Sequence, residues 1–248
     1  MNEFFNKQQE DAVVHGSAVT AGLNTFMLKV FGLMFLGVLL TAGSAFAFIA
    51  ALLQSAALRA LTGNLAFSIG IIVVTLGLVF VLSAAINKLS AGVARLMFLL
   101  YAALNGVMFS FTFLFYIGIG QTHIIALAFM MAAVFFGTMV VFGLTTKADL
   151  TSAGRIFMAG LVAIIIAMVI NFFLQSSALE YAITIGGIAV FTGLTAYDTK
   201  KLKDFYLNEA GTAGLEAASK VAILGALKLY LDFINLFLFI LRFLGNRD

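Results

Sequence analysis

Seven long apolar runs are the feature that most constrains how this chain folds. They cover approximately residues 30–53, 65–86, 93–117, 123–145, 155–175, 179–199 and 221–244, and short polar or charged segments separate them. Each run is long enough to cross a hydrocarbon core of about 30 Å as a helix. The runs lack the alternation of apolar and polar residues that marks a barrel strand, and a helix satisfies its own backbone groups in lipid. We therefore predict an all-α, polytopic membrane protein, a bundle of seven transmembrane helices.

The composition excludes several other classes of protein. The chain is 63% hydrophobic and 10% charged and contains no proline, which lies outside the range of soluble globular proteins. The absence of cysteine excludes disulfides, thiol catalysis and cysteine-bound metals. Nucleic-acid binding is not expected, because the basic residues lie at the ends of the runs and form no patch.

The N-terminus differs from the rest of the chain. Residues 1–24 include Glu3, Glu10 and Asp11 but only one lysine, unlike the basic start of a secretory signal. We interpret residues 1–24 as a cytosolic N-terminal tail and residues 25–248 as one seven-helix domain. Two interpretations of the tail stay open, a disordered or interfacial segment and a docking peptide for a partner.

The distribution of lysine and arginine predicts the orientation of the bundle. Cytoplasmic loops are enriched in these residues. Eleven of them lie on the side of the N-terminus and of the second, fourth and sixth loops, and three lie on the other side. We predict a cytoplasmic N-terminus and, after seven spans, a C-terminus on the opposite side of the membrane. A re-entrant last run would instead return the C-terminus to the cytoplasm.

Two aspartates in the last two runs are the strongest functional candidates. Asp232 lies near the middle of the last run, and Asp198 lies at the end of the run before it. A carboxylate at the centre of a bilayer costs at least about 2.5 kcal/mol, so it usually faces a partner, a cavity or a conduction path. If the sixth helix continues through residues 200–206 before a turn at residues 211–214, the rise per residue brings both acids to a similar height. The last two runs then face each other through these side chains.

Two close carboxylates in a poorly solvated site cannot both ionise cheaply. Such a pair is expected to share a proton and to titrate as one unit, as a proton-sensitive gate or a shared cation site requires. The structural alternative is that each acid only supports a helix contact. The neighbours available for such contacts are Tyr197, Thr199, Tyr230 and Asn235.

Nearby charged and polar residues complete the candidate site. Lys228 precedes Asp232 by one helical turn, so it either forms an ion pair with that acid or extends to the cytoplasmic surface. Lys88 and Arg95 are candidate counter-charges to Asp198, with the alternative that they only flank their spans. Asn105 and Asn171, within the third and fifth runs, are expected to hydrogen-bond across helices, with a pore-lining role as the alternative.

Two segments around these acids resemble the signatures of a known family. Residues 196–200 (AYDTK) and 225–237 (GALKLYLDFINLF) are similar to the two signature segments of the transmembrane Bax inhibitor motif family. The loop residues 147–150 (KADL) also match the family's pattern. The likeness extends over roughly residues 25–245, and the length and the acidic tail resemble the bacterial inner-membrane branch. This resemblance implies a location in a bacterial inner membrane, where the predicted orientation places the C-terminus in the periplasm.

The resemblance implies a fold and an activity. It implies a seven-helix bundle with a central C-terminal helix, and a pH-sensitive calcium leak in which Asp198 and Asp232 form the sensor and bind calcium transiently. It also implies a basic latch from the second span. Lys88 is nearest to that position, although a lysine lacks the bidentate fork of an arginine. We expect no bound cofactor and no resident metal; calcium is the permeating ion.

Three functions other than a leak channel are compatible with a membrane protein that carries two acids. Another bacterial branch resembles a modulator of a membrane-anchored ATP-dependent protease that acts through its N-terminal tail. An intramembrane aspartyl protease is disfavoured, because no glycine-flanked motif surrounds Asp232. A secondary transporter is disfavoured because no matched pair of broken helices is evident. We therefore predict that the chain is no enzyme and that its partners are the lipid bilayer, calcium and, in the second case, a membrane-bound protease complex.

Overall fold

The computed structural model describes the backbone of residues 2–209 and 215–245, and the side chains of residues 19–208 and 216–245. Within these ranges the chain is helical throughout, apart from short connections. The helices are α1 (Asn2–Gln54), α2 (Ala56–Thr62), α3 (Leu65–Ala85), α4 (Ala91–Gly118), α5 (Thr122–Thr145), α6 (Thr151–Leu174), α7 (Ser177–Glu209) and α8 (Leu215–Gly245), with a short 3₁₀ turn over Ile86–Lys88. Seven of the described helices are long and apolar enough to cross a membrane. The predicted class, an all-α polytopic membrane protein, is confirmed.

Polar side chains at the connections define where the spans begin. The side chains of Asn64 and Ser90 accept hydrogen bonds from the first-turn amides of α3 and α4, which stabilises the otherwise unpaired N–H groups of a helix start. Asp149 accepts a 2.9 Å hydrogen bond from the Thr151 amide at the start of α6. Hydrogen bonds from the Thr151 side chain and backbone hold the pKa of Asp149 below its usual range. The short loops therefore carry their own signals for starting the next helix.

The C-terminal helix α8 lies at the centre of the bundle. It packs against α1, α4, α5 and α7, and 72% of its most apolar window is buried, against 6% for α6. A span that is surrounded by other helices has to carry the polar side chains that cannot face lipid. The predicted central C-terminal helix is therefore confirmed, and Asp232 lies on it.

A buried hydrogen-bond network joins α8 to α1 and α4. The hydroxyl of the fully buried Tyr230 lies 2.7 Å from the Thr41 hydroxyl. Thr41 also lies 2.9 Å from the carbonyl oxygens of Gly37, in its own helix, and of Ala102 in α4. The rings of Phe98 and Tyr230 meet edge to face at 5.5 Å. This cluster fixes the height of α8 relative to its neighbours.

Replacing Tyr230 with phenylalanine is expected to destabilise the bundle by about 0.6–1.7 kcal/mol, the range for hydrogen bonds between membrane helices. The ring stays in place, and Thr41 keeps its two carbonyl acceptors. Thermal unfolding in detergent measures the effect. Tyr181→Phe is the control, because Tyr181 is an exposed tyrosine of α7. Equal melting temperatures for the Tyr230 variant and the wild type would show that the hydroxyl contributes nothing.

Two segments differ from the sequence prediction. The first helix does not start near residue 30 but runs without a break from Asn2, and its membrane-spanning part extends back at least to Val19, the first residue whose side chain is described. The segment between the first two spans, expected only as a short polar or charged connection, contains the short helix α2. Arg59 of α2 donates hydrogen bonds to the Leu52 and Leu53 carbonyls. These carbonyls lie in the last turn of α1, where the helix itself provides no N–H donor for them. The division into a tail (residues 1–24) and a domain (residues 25–248) stays a prediction.

Candidate functional site

Helices α7 and α8 are antiparallel neighbours that pack closely along their length. A Cβ atom at Gly187 would clash with the Phe239 ring, and one at Gly225 would clash with Leu202. The helix α7 continues beyond the predicted span through Tyr206 to Glu209, whereas the turn proposed at residues 211–214 lies outside the described residues. This continuation is the condition under which Asp198 and Asp232 reach a similar height.

A cleft of about 1090 Å³ contains both acids. Residues of α4, α6, α7 and α8 line it, and most of them are apolar. The Asp232 side chain is almost fully buried, at 4% exposure, whereas Asp198 is 14% exposed. Lys201 and Lys228 line the same cleft as the two acids. The expected acidic pair is therefore brought together in one cleft.

One oxygen of this pair has no partner in the described part of the protein. Oδ2 of Asp232 is buried and accepts no hydrogen bond from any described residue. A buried carboxylate oxygen is costly to leave unpaired, so it requires a proton, a water molecule or a cation. Oδ2 of Asp232 is therefore the atom of the acidic pair that is best placed to carry a proton or to bind a cation.

Lys228 contacts the other acid of the pair. Its ammonium lies 3.8 Å from Asp198 on α7, whereas the two expectations were an ion pair with Asp232 or extension to the surface. Helical side chains point toward the N-terminus of their helix, and an acid placed after a lysine is the weaker order for an intrahelical pair. Lys228 therefore extends toward the start of α8 and meets α7 there.

The other predicted counter-charges lie elsewhere. Lys88 and Arg95 are exposed, and within the described ranges neither has an acidic oxygen within 4.0 Å. The nearest cations acting on Asp198 come from α7 and α8 instead. For both residues we therefore keep the alternative interpretation, that they only flank their spans.

The polar residues predicted to support the site divide into two groups. Tyr197 and Asn235 line the cleft, with the Asn235 amide donating to the Leu231 carbonyl of its own helix at 2.8 Å. Asn105 donates to the Tyr101 carbonyl of α4, and Asn171 accepts from the Ser176 amide. The expected cross-helix bonds of Asn105 and Asn171 are absent from the described structure. Asn171 instead closes the turn after α6, where Gln175 has a left-handed backbone.

Each lysine of the α7 extension has a defined partner. Lys200 forms a 2.7 Å ion pair with Asp204, and Lys203 donates to the Leu144 carbonyl at the end of α5. Lys201 lies 5.6 Å from the centre of the Tyr197 ring, a cation–π distance. We call this side of the bundle, which carries Lys88, Lys147, Lys200 and Lys220, the basic end.

An ion pair at the opposite end of the cleft was missed in the sequence. Arg242 of α8 lies 3.9 Å from Glu180 of α7, and both side chains line the cleft. Tyr116 of α4 donates to the Leu241 carbonyl beside them. The count from the turn that aligns the two aspartates does not align Glu180 with Arg242, because these two residues lie at unequal distances from the same midpoint. The sequence therefore contained no clear signal for this ion pair.

The fold and the site define the class of this protein: a multi-pass helical membrane protein with an acidic pair in a cleft beside its central helix. The family model described as "Inhibitor of apoptosis-promoting Bax1" matches residues 23–248. The chain belongs to this Bax inhibitor family, as its resemblance predicted.

Bacterial relatives cover nearly the whole chain. The inner membrane protein YbhL of Escherichia coli is 46% identical over 227 residues, which are 92% of this chain and 94% of the relative. An uncharacterized protein of Borreliella burgdorferi is 41% identical over 90% of this chain and 93% of its own. An uncharacterized protein of Rickettsia prowazekii is 38% identical, with 91% of each chain covered. The name of the Escherichia coli relative describes an inner membrane protein, and none of the three names states an enzymatic activity, so the expectation of no enzyme stays a prediction.

Proposed function

We propose that this protein is a pH-sensitive cation leak channel, with calcium as the permeating ion and Asp198 and Asp232 as the sensor. The observation that carries the proposal is the buried, unpartnered Oδ2 of Asp232 in the cleft that also contains Asp198. Calcium prefers carboxylate oxygens as ligands, and a cation competes with protons for the same oxygens. One pair of side chains thus combines cation binding with a response to pH.

The position of Lys228 fits this proposal. Its ammonium lies 3.8 Å from Asp198 and offsets part of the negative charge of the acidic pair. Because the Lys228 side chain is 50% exposed, this ion pair is weak and can open at low cost. A cation that enters the cleft can therefore displace Lys228 from Asp198.

Flux into liposomes tests the proposal. Purified protein is reconstituted with an internal calcium indicator, and calcium, potassium and proton entry are measured from about pH 5 to about pH 8, around the range where close carboxylates exchange a shared proton. We expect calcium entry whose rate changes several-fold across the series. Rates equal to those of protein-free liposomes at every pH would refute the channel.

A second candidate function is modulation of a membrane-anchored ATP-dependent protease through the N-terminal tail. The observation that favours it is the unbroken α1, which continues from Asn2 into the first span. Phe26 of α1 packs against Tyr206 of the α7 extension, with ring centres 5.3 Å apart. A partner bound to the tail would therefore be connected rigidly to the helix of Asp198.

Deleting residues 1–18 tests the second candidate. The deletion ends before Gly22 and Phe26, which contact Tyr206, so the bundle is expected to keep its melting temperature. Co-purification of the protease with the full chain, and its loss on deletion, is the expected result. Equal recovery of the protease by both forms would show that the tail is not the contact.

A further inference from the structure

The cleft opens sideways, toward the membrane. Its walls come from α4 and α6, which share no packed interface in the described structure, and α8 forms its floor. Three wall residues, Phe115, Met158 and Ile165, are 61%, 50% and 53% exposed. Because α4 and α6 both span the membrane, the space between them faces lipid over most of its length.

The size and lining of the cleft suit a long apolar chain. Its volume of about 1090 Å³ exceeds the roughly 300–1,000 Å³ of common small-molecule pockets. Leucine, isoleucine, methionine and phenylalanine side chains from α4, α6 and α8 line its walls and floor. Lipid tails are as apolar as leucine, so an acyl chain fills such a groove without a solvation cost.

The charge at the basic end selects the headgroup. Lys201 and Lys228 line the cleft there and are exposed, whereas Asp198 and Asp232 lie deeper and are mostly buried. The cleft thus presents two cations from two helices to the headgroup layer. Basic pockets between transmembrane helices recognise anionic lipid headgroups.

We propose that the cleft binds one anionic phospholipid, with its phosphate between Lys201 and Lys228 and an acyl chain between α4 and α6 over Leu231. The phosphate and the Asp198 carboxylate are then alternative partners of Lys228. A consequence that rests on the proposed channel function is that the anionic lipid content of the membrane changes calcium flux, because a phosphate on Lys228 leaves Asp198 without its counter-charge.

Native mass spectrometry of the delipidated full-length protein tests the binding itself. Phosphatidylglycerol and phosphatidylcholine with identical chains are added in turn. The wild type is expected to retain phosphatidylglycerol preferentially. The double variant Lys201→Gln/Lys228→Gln is expected to lose about fivefold in this preference for each lysine. The matched control Lys88→Gln/Lys147→Gln removes two exposed basic-end lysines that do not line the cleft, and it should keep the preference.

A second variant tests the acyl-chain site separately from the charges. Leu231→Trp places a larger side chain on the floor of the cleft and is expected to reduce retention of both lipids. The binding proposal is overturned if the lysine and control variants lose the preference equally, or if Leu231→Trp retains lipid like the wild type. It is also overturned if inorganic phosphate displaces phosphatidylglycerol completely, since the site then binds a free anion.

A second copy of the chain is the competing occupant of the groove. The chain has no cysteine, so Met158→Cys introduces a single thiol on the cleft wall. We expect it to remain monomeric under oxidation in membranes. Efficient disulfide-linked dimers would show that another copy covers the cleft and would overturn the lipid proposal. These readouts do not depend on ion flux, so failure of the channel proposal and failure of the lipid proposal are distinguishable.

Discussion

Replacing Asp232 with asparagine is expected to remove the pH dependence of calcium flux and to weaken calcium binding about ten- to a hundredfold. Asparagine keeps the size of the side chain but neither ionises nor supplies a carboxylate ligand. Interactions with charged groups contribute about 1.5–3 kcal/mol, which corresponds to that range of affinity. Because Asp232 carries the unpartnered buried oxygen, the change acts on the atom best placed to carry a proton or to bind a cation. Liposome flux across a pH series and calcium titration of the purified variant measure both effects.

Asp204→Asn is the matched control for this experiment. Asp204 lies on α7 close to Asp198, pairs with Lys200 at 2.7 Å and does not line the cleft. We expect this variant to keep the flux and pH response of the wild type. If Asp232→Asn also keeps them, the acidic pair is not the sensor. If only Asp198→Asn removes the response, Asp198 acts alone and the paired mechanism is wrong.

Replacing Gly106 with alanine is expected to prevent the bundle from folding stably. Gly106 lies on α4 where α1 crosses, and a Cβ atom there would meet the Thr41 carbonyl and the Ser44 side chain. Small residues allow such close approach between membrane helices. Overpacking a core costs typically about 1–3 kcal/mol and more where backbone has to move. We expect a large drop in melting temperature and poor recovery of monodisperse protein in detergent.

Gly92 offers a control in the same helix. A Cβ atom at Gly92 has no neighbour within 4 Å, so Gly92→Ala gains helix propensity, worth up to about 1 kcal/mol, without a clash. This variant should be at least as stable as the wild type. Equal melting temperatures for the Gly106 and Gly92 variants would show that α1 and α4 can move apart at no cost in stability. That result would contradict the close contact at Gly106.

The experiments on the aspartates and on Gly106 address different levels of the structure. Gly106 lies in the α1–α4 interface, which supports α8 through the Thr41–Tyr230 hydrogen bond. The aspartates lie on the other side of α8, where it faces the cleft. We therefore expect the Asp232 variant to keep the free energy of unfolding of the wild type within about 1 kcal/mol, because asparagine has the size of aspartate and Oδ2 of Asp232 accepts no hydrogen bond from the described residues.

The sequence was sufficient for the seven spans, the extension of α7 through Tyr206 and the neighbouring positions of Asp198 and Asp232. These features follow from the length of apolar runs, from the position of a turn and from the fixed rise of a helix. Local patterns also placed Tyr197 and Asn235 beside the acids. The family was likewise recognisable from the two short segments that contain the pair.

The contacts of several side chains depended on how each helix is rotated about its axis and on where its side chains point. The order of residues along the chain does not specify either. The sequence allowed Lys228 either to pair with Asp232 or to extend to the surface. Only the position of α7 beside α8 shows that its ammonium lies 3.8 Å from Asp198. Asn171 was expected to bond across helices, but the left-handed turn at Gln175 places the Ser176 amide within its reach. The ion pair between Glu180 and Arg242 becomes evident only from the packing of α7 against α8.

By itself, the sequence determined that the chain is a seven-span helical bundle with two acids in adjacent spans. The hydrocarbon core of a membrane allows only backbone structures that satisfy their own hydrogen bonds. A charged side chain in that core is so costly that it indicates a functional position. Only the tertiary structure decided which cation meets which acid and that α4 and α6 leave a cleft along α8. The physical reason is that periodicity places a residue along a helix, whereas the packing of neighbouring helices decides what that residue faces.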